Sequence, residues 1–188
     1  MIEQVSPSQV KVTLDRVSAL LDESGVRHVV HPAEKVIEAR VETQEGPALL
    51  IVYVPDQPLA VTFALSVPVD APLETMRARR SAMAEAISLA NYTHPVGDFV
   101  MEPLTGHVFC RACVPLSDAV LTSRQFTETL QMIVGRADLM LPSFRAVVND
   151  DVEPHVAMRS FLSPLAACGH GTGDDSPRAR CESSSAVD

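Results

Sequence analysis

Residues 35–67 read KVIEARVETQEGPALLIVYVPDQPLAVTFALSV, and their periodicity decides the fold class. Ile37, Ala39 and Val41 alternate with Glu38, Arg40 and Glu42, which makes residues 35–43 a half-exposed strand. Gln44-Glu45-Gly46-Pro47 is a turn. Leu49 to Val54 is an unbroken apolar run, too short for a helix, and it predicts a central strand covered on both faces. A second turn follows at Pro55 to Pro58. Leu59, Val61, Phe63, Leu65 and Val67 then alternate with Ala60, Thr62, Ala64 and Ser66. Connections this short make the three strands an antiparallel meander.

Helical periods flank the meander. Residues 8–24 carry Val10, Leu14, Val17 and Leu21 on one stripe, with Ser8 as N-cap and Gly25 at the C′ position. Between that helix and the meander, His28 to Val30 read as a short extended lead-in. Asp70 and Pro72 open a helix over 72–92, its stripe formed by Leu73, Met76, Met83, Ile87 and Ala90. A hairpin follows, strands 98–103 and 107–114, with Val108, Cys110, Ala112 and Val114 on one face. Thr122 or Ser123 caps a last helix over 123–140, which Pro142 stops or kinks. The order is α-β-β-β-α-β-β-α. It predicts an α+β fold, an antiparallel five-stranded sheet with helices packed on one face. Residues 1–150 form one domain. Residues 151–188 are an extension, with a short amphipathic helix within 154–166 and a polar, Gly- and Ser-rich tail that reads as disordered.

Charge narrows the function classes. The formal net charge is −9, and both parts of the chain are acidic, −6 over residues 1–150 and −3 beyond. Binding to nucleic acid or to an anionic membrane draws on surplus cations that this chain lacks. No segment has the roughly 18 apolar residues of a membrane span. The start, Met1-Ile2-Glu3-Gln4, has no signal-peptide pattern. The expectation is a cytoplasmic protein whose 4 cysteines stay reduced.

No catalytic, cofactor-binding or metal-ligating residue emerges. Cys110-Arg111-Ala112-Cys113 has the spacing of a redox or zinc pair, but it falls inside an alternating strand, where positions i and i+3 face opposite sides. Cys168, His170 and Cys181 lie in the tail without paired knuckles. His28, His31, His94, His107 and His155 are isolated, and no nucleotide-binding glycine loop or nucleophile elbow occurs. Arg77, Arg79 and Arg80 read either as a solvated helix face or as a small anion site.

Val17-Ser-Ala-Leu-Leu21 before Gly25, Ile87-Ser-Leu-Ala-Asn91, Gly97-Asp-Phe-Val-Met101 with Gly106-His-Val-Phe109, and Ile133-Val-Gly-Arg-Ala-Asp138 before Pro142 together resemble the YbjN family. The resemblance covers residues 8–148. It implies a fold similar to the type III secretion chaperones and a cytoplasmic protein-binding or regulatory module, non-catalytic, needing no cofactor and often a homodimer. A regulatory role in sensory transduction has been suggested for the family. Its partner would be a protein client or regulatory protein. A small-ligand sensor, an enzyme with a dispersed site, and an accessory that works only inside a larger complex remain as alternatives.

Overall fold

The computed structural model describes residues 7–54, 60–93, 97–116 and 120–162, with side chains from Thr13 onward. The turn at 55–58, Leu59, the side chains of Ser8 and Val10, His94, and the tail with Cys168, His170 and Cys181 lie outside the described residues. The chain opens with α1 (Pro7–Glu23), which buries Leu14, Val17, Leu20 and Leu21. Gly25, at φ +68°, ends it in a Schellman turn: its N–H donates to Asp22 O at 2.9 Å and Val26 N–H donates to Leu21 O at 2.9 Å.

Strands β1 (His28–His31), β2 (Val36–Thr43), β3 (Gly46–Tyr53) and β4 (Ala60–Val67) follow in sequence. After them come α2 (Leu73–Ala78), α3 (Arg80–Thr93), the hairpin β5 (Asp98–Met101) and β6 (Val108–Pro115), α4 (Ser123–Asn149) and α5 (Pro154–Ala157). The sheet has six strands in the order β1-β2-β3-β4-β6-β5, antiparallel throughout. The expected five strands become six because the lead-in at His28 is a full strand, paired His28↔Ala39 through His31↔Val36. Four residues are too few for a periodic signal; the ladder to β2 makes β1 a strand.

One face of the sheet carries the core. Ile37, Ala39, Leu50, Val52, Phe63, Leu65, Cys110, Ala112 and Phe99 are buried there against α1, α3 and α4. The reading of Leu49–Val54 as covered on both faces does not hold. In β3, Leu50 and Val52 are buried, whereas Leu49 is 39% exposed and Ile51 and Tyr53 are half-buried. Over most of the outer face no layer lies among the described residues, so Leu49, Ile51, Tyr53 and Phe109 stay partly in water, while Ala60 and Thr62 at the start of β4 are buried.

Two helices differ from their sequence reading. The helix expected over 72–92 breaks at Arg79, whose Nε donates to Val147 O at 3.1 Å and whose Nη1 pairs with Asp151. The last helix does not stop at Pro142. It runs 27 residues to Asn149, because Met140, Leu141, Phe144, Val147 and Val148 all bury on the core side while the proline ring faces solvent. Thr122 caps it in a capping box with Gln125. Beyond Asp150, α5 packs back on the domain: Met158 is fully buried and Ser143 Oγ donates to Ala157 O at 2.9 Å.

Candidate partner-binding surface

Register places the two neighbouring cysteines on opposite sides of the sheet. Cys110 pairs with Leu65 on the core face and is 0% exposed; Cys113 pairs with Thr62 on the outer face and is exposed. The two thiols therefore diverge. Burial pushes the Cys110 thiol up to about 11, with the Asp98 carboxylate adding to the rise and the Arg136 guanidinium opposing it. A thiol held protonated in this way is not a nucleophile at neutral pH.

The histidines scatter. His107 and His155 are exposed, and His31 Nε2 stands 3.9 Å from Glu38 at the sheet margin. His28 is different: its side chain is only 8% exposed and Nε2 lies 2.7 Å from Ser18 Oγ. Its Nδ1, 3.1 Å from Val26 O, donates to that carbonyl, and Nε2 shares a hydrogen bond with the serine hydroxyl. Asp22 is 3.9 Å from Nδ1, but that nitrogen is already committed to Val26. The pair latches β1 to α1. Of the arginine trio, Arg77 and Arg80 face solvent while Arg79 is held by Val147 and Asp151. The three do not converge. Among the described residues no group of three or more metal-capable side chains lies together. No helix there is long and apolar enough to cross a membrane.

Two residues to which the sequence reading gave no role organise the β5 side of the molecule. Asn91, near the end of α3, donates from Nδ2 to Phe99 O at 3.0 Å and accepts from Phe99 N–H at 2.8 Å. One amide thus satisfies both outward backbone groups of Phe99 on the edge strand. Arg136 lies on the inward stripe of α4 between Ile133 and Met140 and is 6% exposed. Its guanidinium donates to Gly97 O and, at 3.4 Å, to Ala90 O at the C-terminal end of α3, and it stands 4.9 Å from the Phe99 ring centroid. Burial lowers its pKa. An arginine at an inward stripe position was the available signal.

What remains open is the outer face and the margin beside β2. Cross-strand register arranges the outer face in rows: Val29, Glu38, Ile51, Ala64, Arg111, Asp98 in one, and Val36, Tyr53, Thr62, Cys113 in the next. Leu49, Phe109 and Val100 extend the apolar area, with Val29 58% exposed at its end. At the margin, β1 covers β2 only as far as Ala39. Beyond that point a groove of about 1060 Å³ opens, lined by Ala39 to Glu42, by Ser24 to Val29, and by Leu130, Gln131 and Val134 of α4.

A family model described as "YbjN: Putative bacterial sensory transduction regulator" matches residues 13–146, well over half of the 188 residues. No curated protein and no solved structure matches the chain.

Proposed function

The chain belongs to the YbjN family, and on that premise we propose that it is a non-catalytic regulatory module that binds a protein partner through the uncovered face of its sheet. One observation carries the reading: the outer face presents Leu49, Ile51, Tyr53, Ala64, Phe109 and Val100 around a few charges, with no covering layer among the described residues. The chaperone-like fold that the YbjN resemblance implies supports a chaperone-like mode in the cytoplasm, with the protein acting as a homodimer. The face spans roughly 24 Å across six strands and about 26 Å along the longest, or roughly 600 Å². A stable interface takes about 800 Å² per partner. The face therefore suits a client segment, and the dimer draws on other surface.

Photo-crosslinking amino acids placed at Ile51, Ala64 and Phe109 test this in the full chain, with Glu85 on the exposed side of α3 as control. Adducts with one protein partner at the three outer positions and none at Glu85 are expected. Adducts equal at all four positions, or none, refute it. Sedimentation at twice the 20.3 kDa chain mass checks the dimer. The Ser18–His28 hydrogen bond favours a second reading, a hydrolase, and a fluorophosphonate probe decides it. No labelling of Ser18 is expected; labelling that His28→Ala abolishes overturns the non-catalytic reading.

A further inference from the structure

The sheet has two margins, and they are finished differently. At the β5 side the outward backbone groups of Phe99 are taken by Asn91. At the other side β1 runs for four residues along an eight-residue β2, and the ladder stops at Ala39. The Schellman turn at Gly25 explains why: it lifts the chain from the sheet layer to α1, so Ser24 to Arg27 flank the vacated strand position instead of filling it. On the side away from β3, the half of β2 from Arg40 to Thr43 has no neighbouring strand among the described residues and opens directly into the groove. Its two sides differ in chemistry. Val41, 6% exposed, turns inward beside Leu130 and Val134, whereas Arg40 and Glu42 are exposed on the outer side and neither has an ion-pair partner among the described residues.

We propose that this groove receives an extended segment of a partner protein as an added antiparallel strand on β2, in line with β1. This rests on the protein-binding reading above and names the form and chemistry of the partner. Main-chain hydrogen bonds to those alternate residues of Arg40–Thr43 whose backbone groups β3 does not take supply the attachment, and side chains alternating between the two faces supply the selectivity. An antiparallel strand meets Glu42, Val41 and Arg40 in that order from its N-terminal side. The segment that fits therefore reads basic–apolar–acidic: a cation opposite Glu42, an aliphatic side chain entering the pocket of Val41, Leu130 and Val134, and a carboxylate opposite Arg40.

The test uses the full chain, labelled with nitrogen-15, and two capped heptapeptides, Thr-Thr-Lys-Val-Glu-Thr-Thr and its charge-reversed form Thr-Thr-Glu-Val-Lys-Thr-Thr. Amide shifts at Ala39 to Thr43, with about tenfold tighter binding of the first peptide, are expected from two matched rather than two mismatched cross-strand charge pairs. The double variant Arg40→Glu/Glu42→Arg changes only exposed side chains and should reverse the preference. Equal binding of both peptides, preference of the natural chain for the reversed peptide, or no shift with either overturns the proposal. Shifts confined to Ile51, Ala64 and Phe109 also overturn it while leaving the outer-face reading intact. Failure of that reading is seen separately, in the crosslinking.

Discussion

Raising the pH should destabilise this protein through one buried thiol. Cys110 is 0% exposed, and burial lifts its pKa from an ordinary value of 9.0 to about 11. Below pH 9 the thiol is protonated in both the folded and the unfolded chain, so its full contribution is present. Between 9 and 11 the unfolded chain releases the proton and the folded chain keeps it, so stability falls as pH rises. The two-unit gap corresponds to about 2.7 kcal/mol in the limit, and to about 2 kcal/mol at pH 10.5. Cys110→Ala removes the effect, at the expense of a small cavity worth about 1 kcal/mol. Urea unfolding of both proteins at pH 8 and pH 10.5 isolates the term, because every other titrating group is shared. The variant should be less stable by about 1 kcal/mol at pH 8 and more stable by about 1 kcal/mol at pH 10.5. Parallel pH dependences for the two proteins would refute the reasoning that this side of the sheet is dry.

Three further outcomes follow from the packing. Gly25 and Gly97 both hold positive φ, but a Cβ at Gly25 meets nothing within 4 Å, whereas at Gly97 it meets Arg111 O at 3.2 Å and Arg136 Nη1 at 3.3 Å. Gly25→Ala should cost about 1 kcal/mol and Gly97→Ala about 2–3, read from urea midpoints, and equal values would remove the close-approach argument. Asn91→Ala leaves both Phe99 backbone groups without their partner, and should cost about 2–3 kcal/mol and speed hydrogen exchange at Phe99; unchanged exchange there would contradict the edge-sealing role. Pro142 sits inside α4 with its ring exposed, so Pro142→Ala restores a helix N–H and should raise stability by about 1–3 kcal/mol in thermal melts; a loss would mean that the proline sets a bend the core requires.

Much of the fold was legible because it is written in short periods. The alternation of Ile37, Ala39 and Val41, and of Phe63, Leu65 and Val67, located β2 and β4 within a residue or two, and the core face followed from it. The divergence of Cys110 and Cys113 came from the same period of two. Pro142 misled, because a local helix preference of about 3 kcal/mol was set against the burial of five large side chains beyond and around it, and burial won. Asn91 and Arg136 fell within stretches that resembled the family, yet their work could not be read there. Arg136 bonds to backbone 39 and 46 residues away, and Asn91 reaches across a turn to Phe99 on the next strand, so neither contact follows from a helical or strand period.

By itself, then, the sequence determined where five of the six strands and the main helices lie, which side of β2, β4 and β6 turns inward, and that the chain is acidic and poor in recognisable chemistry. Tertiary structure alone decided that β1 is a sixth strand, that no layer of the described residues covers most of the outer face, and that at one margin Asn91 takes the outward backbone groups of Phe99 while the other opens into a groove beside Arg40 and Glu42. The division has a physical cause. A side chain's inward or outward direction is set by backbone geometry over a few residues, whereas what lies opposite an edge or a face depends on which remote segments pack there, and no local period records that.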